Sequence, residues 1–140
     1  MPNKPVQKKY VRAIGRRKTA TAVVRLFRGK LSEQPFLVNK KPIGEYWPGE
    51  QLQTLYLEPF RVTNTATQYT GDAVISGSGK RSQLGAFTLA ISRALETIDR
   101  EKFRPILKKR GLLTRDARER ERRKAGFAQK ARAKKQSPKR

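Results

Sequence analysis

The pattern of apolar and polar residues predicts strands at three places in the first hundred residues. Residues 19–27 alternate with the period of two that is typical of a strand. One face of this strand carries Ala20, Ala22, Val24 and Leu26, and the other carries Thr21, Val23, Arg25 and Phe27. Residues 28–30 predict a turn after it, and shorter strands are predicted at residues 35–38 and 69–76.

Helical spacing is clearest between residues 80 and 98. The apolar residues there recur at intervals of three and four and form a stripe that must face a sheet: Leu84, Phe87, Ile91, Leu95 and Ile98. Ser78 is the predicted N-cap of this helix, and a second helix at residues 101–110 is predicted to stop at Gly111. Short helical pieces are predicted at residues 42–47 and 51–57, whereas residues 58–70 have no clear period.

The last part of the chain is basic and poor in apolar side chains. Residues 111–140 contain only Leu112, Leu113 and Phe127 as sizeable apolar residues, too few to offset the entropy of ordering without a partner. We therefore expect a basic N-terminal segment at residues 1–12, a globular α+β RNA-binding core at residues 13–110, and an extended basic C-terminal tail at residues 111–140.

Charge and composition narrow the class of partner. The net charge of +23 points to a polyanion, and nucleic acid is the usual one because each neutralised phosphate releases counterions. A membrane surface is the alternative, but the sequence has no long apolar run. The absence of Cys and His removes thiolate nucleophiles, imidazole bases and ordinary zinc sites. We expect no enzyme, no metal or other cofactor and no small-molecule substrate.

The segment Gly77-Ser78-Gly79-Lys80 is the sole candidate for a nucleotide loop. It matches neither a Walker loop nor a dinucleotide loop, because Val74, Arg81 and Ser82 stand where those motifs need other residues. A glycine turn formed by Gly77 and Gly79 at a helix N-terminus, followed by two cations, favours contact with an RNA phosphate. A plain tight turn is the alternative interpretation.

Two other groups of cations are candidates for RNA contact. Residues 15–18 precede the first predicted strand, and residues 115–124 mix acids with cations. In the second group, Asp116 with Arg120 and Glu119 with Arg122 or Arg123 would support a short helical turn. The residues predicted to bind rRNA are Arg16, Arg17, Lys18, Lys80, Arg81, Arg115, Arg118, Arg120, Arg122, Arg123, Lys124, Lys130, Arg132, Lys134 and Lys135.

Three stretches together resemble the ninth small-subunit ribosomal protein, in its bacterial or organellar form. They are Gly15-Arg16-Arg17-Lys18-Thr19-Ala20, the turn and helix from Gly77 to Ala86 continuing to Ser92-Arg93-Ala94-Leu95, and Gly111-Leu112-Leu113-Thr114-Arg115-Asp116-Ala117-Arg118 followed by Glu121-Arg122-Arg123-Lys124 and Gly126. The chain also ends in Lys-Arg, as that family does. Compared with the family, Ser78 and Ser82 replace glycines, and Ser would be costly at Ser78 if positive φ is needed there.

The resemblance implies an α+β fold with a four-stranded mixed sheet, helices on one side, and a left-handed βαβ crossover, like the second domain of the fifth small-subunit protein. It also implies a place in the head of the small ribosomal subunit, bound to the 3′ major domain of the rRNA. The implied neighbours are the tenth, fourteenth and seventh small-subunit proteins. The implied location is the cytoplasm, bound to the ribosome, with an organellar ribosome as the alternative. The terminal Lys139 and Arg140 would contact the anticodon stem-loop of P-site tRNA.

Three other functions are compatible with the charge. One is a basic architectural DNA-binding protein, although the tail lacks the apolar wedges that such proteins insert into the minor groove. Another is an RNA-modifying enzyme, for which residues 77–80 would be the sole candidate loop. The third is a ribosome assembly factor, which would bind the same RNA.

Overall fold

The computed structural model describes residues 10–29 and 35–132, and these residues form an α+β fold. Lys134, Lys135, Lys139 and Arg140 lie outside the described residues. The elements, in chain order, are β1 (Val11–Arg17), β2 (Ala20–Arg28), β3 (Leu37–Val38), β4 (Lys41–Pro42), α1 (Ile43–Tyr46), α2 (Glu50–Thr63), β5 (Tyr69–Ser76), α3 (Lys80–Ile98) and α4 (Arg100–Lys109).

The sheet has the strand order β1-β2-β5-β3-β4. Strand β3 runs parallel to β5, and the other pairs are antiparallel, so the predicted mixed sheet is confirmed. The predicted number of four strands is wrong, because the described residues contain five. The extra edge strand is the two-residue β4, which returns beside β3 through Asn39 and Lys40, both with positive φ. The handedness of the β3-to-β5 crossover stays a prediction.

Strand β1 was not predicted, and its sequence explains why. Its two buried positions are Ala13 and Gly15, which are too small to produce an alternation of large apolar and polar residues. The cationic residues Arg16 and Arg17 therefore lie at the end of a strand rather than in a segment before the first strand. They are joined to β2 by a tight turn at Lys18 and Thr19.

The core lies between one face of the sheet and the helices. On β2, the face predicted from alternation is buried, with Ala20, Ala22 and Val24 fully inaccessible. Helix α3 covers this face, and Phe87 is its central aromatic residue. The ring of Phe87 lies 5.2 Å, centroid to centroid, from both Phe36 and Trp47. Leu84, Phe87, Ile91 and Leu95 of the predicted stripe are confirmed as core residues, whereas the residues of α3 that meet Gly15 of β1 are Ala86 and Ala90, which lie outside the stripe.

Strand β1 approaches α3 more closely than a side chain would permit. A Cβ atom added at Gly15 would overlap the carbonyl oxygen of Ala86 and lie 2.6 Å from the backbone nitrogen of Ala90. Only glycine fits at this position, because there is no space for a side chain between β1 and α3. The close approach holds the following Arg16 and Arg17 beside the first half of α3.

Local structure differs from prediction in two more places. Gly79, not Ser78, is the N-cap of α3, and Ser78 adopts φ of 49° within the glycine turn. The left-handed turn places Ser78 one residue too early to cap the helix, and Ser carries the strain expected at positive φ. Helix α2 also runs on through Pro59 to Thr63, into the segment whose polar composition hid its period.

Candidate nucleic-acid interface

A groove of about 270 Å³ lies where β1, α2, α3 and the segment after α4 meet. Three predicted RNA-binding arginines line it: Arg16 and Arg17 from the end of β1, and Arg81 from the first turn of α3. Leu55 and Glu58 of α2 form another side, and the tail contributes Gly111, Leu112, Thr114 and Asp116. The fold thus brings together cations that are more than 60 positions apart in sequence.

Arg17 is held at this groove by a carboxylate of the tail. Its guanidinium nitrogen lies 3.1 Å from Oδ2 of Asp116. Asp116 also accepts hydrogen bonds from the side chain of Arg118, at 2.9 Å on each carboxylate oxygen, and from the Arg118 backbone N–H at 3.1 Å. The bonds from Arg118, followed by the charge of Arg17, hold the pKa of Asp116 well below its usual range.

The predicted helical turn at residues 115–124 is wrong. Residues 115–124 contain no helix, and Asp116 pairs with Arg118 and Arg17 instead of Arg120. Local spacing could not reveal the partner on β1, because Arg17 is almost a hundred residues away. Glu121 likewise pairs with Arg132, whose Nε donates to Oε2 at 2.8 Å. This pair lowers the pKa of Glu121 and joins the two ends of residues 121–132 in a loop.

Lys80 and the neighbouring Arg81 have different surroundings. Its ammonium group lies 3.3 Å from the centroid of the Tyr46 ring, a cation–π arrangement. The Tyr46 hydroxyl donates to Oε1 of Gln83 at 2.8 Å, and Gln83 donates to the carbonyl of Gly77 at 3.0 Å. Lys80 therefore lies against Tyr46 of α1, whereas Arg81 lines the groove.

Other predicted cations are exposed and have no ion-pair partner among residues 10–29 and 35–132. They are Arg16, Lys18, Arg81, Arg115, Arg120, Arg122, Arg123, Lys124 and Lys130. By contrast, Arg17, Arg118 and Arg132 are paired with carboxylates. The unpaired cations can neutralise phosphates without first breaking an ion pair.

Gly85 is a site residue that the sequence analysis missed. A Cβ atom there would lie 2.8 Å from a terminal guanidinium nitrogen of Arg17 and still closer to its Cδ. The missing side chain lets Arg17 lie against α3 on its way to Asp116. A signal was present, because a glycine inside an otherwise regular helix costs about 1 kcal/mol relative to Ala and often marks a close contact.

Other kinds of site are not supported in the part of the chain that the structure describes. No three His, Cys, Asp or Glu side chains there are grouped so as to hold a metal ion. No helix in this part is both long enough and apolar enough to cross a membrane.

Comparison with known proteins decides the family. The family model described as ribosomal protein S9/S16 matches residues 15–140. The chain belongs to this family. The match starts at the glycine that packs against α3 and includes every cation of the groove and tail. The resemblance drawn from the three sequence stretches is confirmed.

Two curated relatives of the S9/S16 family show how far the similarity extends. The chain is 48% identical over 115 residues to the small ribosomal subunit protein uS9 of Leifsonia xyli subsp. xyli (strain CTCB07), covering 82% of this chain and 67% of the relative. It is 43% identical over 115 residues to uS9 of Cutibacterium acnes (strain DSM 16379 / KPA171202), covering 82% and 65%. The chain spans about two thirds of the length of these relatives. The S9/S16 proteins are structural ribosomal proteins, so the expectation that this chain is not an enzyme is confirmed.

Proposed function

We propose that this chain is a structural constituent of the small ribosomal subunit, located in its head and bound to the 3′ major domain of the rRNA. The observation that carries the proposal is the convergence of Arg16, Arg17 and Arg81 on the groove from which the basic tail departs. Membership of the S9/S16 family supports it, and both relatives are named as small-subunit proteins.

The core would position the protein on the rRNA through phosphate contacts. Arg16 and Arg81 are exposed and unpaired among the described residues, so their guanidinium groups can bind phosphate oxygens in a bidentate manner. Such contacts fix the position and orientation of a protein on RNA without reading its sequence. The groove holds three arginines against the carboxylates of Glu58 and Asp116, so its net charge is positive, which suits contact with RNA phosphates.

The tail would extend the contact beyond the core. Its unpaired cations, from Arg115 to Lys130, would neutralise successive phosphates, and Lys134 and Lys135 would continue the series. We propose that Lys139 and Arg140 contact the anticodon stem-loop of P-site tRNA. The tenth, fourteenth and seventh small-subunit proteins are the proposed neighbours, and the protein would act bound to the ribosome.

Salt-dependent binding to a 3′ major domain rRNA fragment tests the groove. Replacing Arg16 and Arg81 together by Gln should lower the slope of log affinity against log salt by roughly 1.4 to 1.8, which is two phosphate contacts. The matched control replaces Arg61 and Arg100 by Gln, removing the same charge from two exposed positions that do not line the groove. Equal loss in both double variants would mean that binding follows net charge and not the groove.

The same assay separates the ribosomal role from the architectural one. The full chain should bind the rRNA fragment at least tenfold more tightly than duplex DNA of equal length in the same salt. Equal affinities for the two would favour a general nucleic-acid-binding protein.

A further inference from the structure

We infer that Asp116 is a positioning residue for RNA binding, which fastens the start of the tail to the core through Arg17 and fixes the direction of Arg118. The inference rests on the proposed RNA-binding function. We call the three residues Arg17, Asp116 and Arg118 the tail clamp.

One carboxylate joins two parts of the chain in the clamp. Oδ1 of Asp116 accepts from the backbone N–H and from Nε of Arg118, at 3.1 and 2.9 Å. Oδ2 accepts from Nη2 of Arg118 at 2.9 Å and lies 3.1 Å from Nη2 of Arg17 on β1. A carboxylate with this many charge-assisted bonds is held in a single orientation. It therefore couples the tail's backbone to a strand of the core sheet.

The clamp is the second of two successive anchors. Leu112 and Leu113 are partly buried against the core, and the Leu112 N–H donates to the carbonyl of Leu107 at 3.0 Å, which closes α4. Asp116 comes three residues after Leu113 and is the last tail residue that lines the groove. Because both anchors contact the core, the backbone between Leu113 and Asp116 is held close to it.

Gly85 supports the clamp from the side of α3. Because a Cβ there would meet the Arg17 side chain, the glycine keeps open the path along which the guanidinium reaches Asp116. Arg17 and Asp116 keep only 31% and 27% of their side-chain surface exposed, whereas Arg118 keeps 87%. The clamp thus presents Arg118 outward, with its remaining nitrogen free for a phosphate.

This geometry accounts for an acid in a basic tail. A carboxylate repels phosphate, so Asp116 should weaken RNA binding unless it also makes a favourable contribution to that binding. A solvent-exposed ion pair contributes little to stability by itself. If the clamp orders the tail before RNA binds, RNA affinity increases, because less conformational entropy is lost on binding.

Replacing Asp116 by Asn in the full chain tests the inference, because charge and positioning then predict opposite results. Removing a negative charge should by itself tighten binding to the 3′ major domain fragment. If the clamp positions the tail, Asp116→Asn should instead weaken binding by roughly threefold to tenfold. Binding as tight as that of the unaltered chain, or tighter, would overturn the inference.

Glu119→Gln is the matched control. It removes the same charge three residues further along the tail, and Glu119 has no ion-pair partner among the described residues. Binding should stay equal or become tighter. A loss matching that of Asp116→Asn would contradict the inference, because it would show that any change in this segment weakens binding.

Gly85→Ala disturbs the clamp without changing any charge. The added methyl group displaces the Arg17 side chain, which is flexible enough to move, so the fold should survive. We expect weaker RNA binding that is not additive with Asp116→Asn, because both variants break one interaction. Additive losses would contradict a shared clamp.

A measurement without RNA separates this inference from the proposed function. In the free protein, ¹⁵N relaxation should show residues 114–118 as rigid as the core, and Asp116→Asn should make them mobile. If the free chain behaves so but does not bind the rRNA fragment, the clamp stands and the proposed function fails. If residues 114–118 are already mobile in the unaltered chain, the clamp fails whatever the RNA result.

Discussion

The clearest residue-level consequence concerns the acidity of Asp116. Hydrogen bonds from Arg118, together with the charge of Arg17, favour its ionised form and depress its pKa in the folded chain. For a depressed pKa, the stabilising contribution is present above the unfolded value of about 3.9 and is lost as pH falls through the folded value. The Arg17 contact should therefore persist at pH 4 and open only in stronger acid.

Titration of the Asp116 carboxyl carbon by ¹³C NMR measures this directly. We expect the midpoint of the Asp116 titration to lie well below the ordinary aspartate value of about 3.9, and Arg118→Gln to bring it back toward that value. A midpoint near 3.9 in the unaltered chain would show that the carboxylate is not engaged by the two arginines.

Neighbouring cations should also differ in role. Lys80 lies over the Tyr46 ring, whereas Arg81 lines the groove. Lys80→Ala should therefore lower the free energy of unfolding by about 0.5–1 kcal/mol, the usual value of an exposed cation–π contact, with little effect on RNA affinity. Arg81→Ala should weaken RNA binding and leave the free energy of unfolding nearly unchanged. Urea unfolding measures the stability and filter binding measures the RNA affinity. An equal loss of RNA affinity in both would contradict this division.

Among the elements, the contact between β1 and α3 is the most sensitive to substitution. Gly15→Ala places a methyl group against the backbone of Ala86 and Ala90, which cannot move without separating strand from helix. We expect a loss of about 3 kcal/mol in the free energy of unfolding, at the upper end of the usual cost of overpacking. Urea unfolding followed by circular dichroism is the measurement.

Gly44→Ala is the control for this prediction. Gly44 lies in α1 with open space around its Cα and no positive φ, so the methyl group should be tolerated or slightly stabilising. If the two substitutions cost the same, the close approach of β1 to α3 is not a constraint on the fold.

The elements also show which parts of the fold the sequence could predict. Strand β5 and helix α3 were predicted with their observed bounds, because large apolar side chains mark their buried faces. Strand β1 was missed because its buried face consists of Ala13 and Gly15, and β4 because two residues carry no period. Local pattern reveals an element when its buried face includes some large apolar side chains, such as Val24 and Leu26 of β2 or Tyr69 and Ile75 of β5.

The candidate site was predictable only in part. Cations could be chosen from composition, but their grouping around one groove depends on tertiary contacts that no local spacing encodes. The same limit explains the incorrect pairing of Asp116 with Arg120, since its partner Arg17 belongs to a distant strand. Gly85 had a local signal, but its contact with Arg17 needed the fold.

For the molecule as a whole, charge divides the chain into an anchored core and a basic tail. We expect deletion of Lys139 and Arg140 to weaken P-site tRNA binding without preventing incorporation into small subunits, because the phosphate contacts proposed for the core and the rest of the tail would remain. Toeprinting or filter binding with purified subunits measures the tRNA affinity. Unchanged affinity in the deleted subunits would refute the tRNA contact.

The most direct test of the account is sucrose-gradient sedimentation of the tagged full chain, in lysate of its own source and at the low magnesium that separates ribosomal subunits. A structural protein of the small subunit, held by many phosphate contacts, should sediment with small subunits and stay with them through a high-salt wash. Recovery at the top of the gradient, or release by modest salt, would contradict the account and indicate a transient factor or a general polyanion binder.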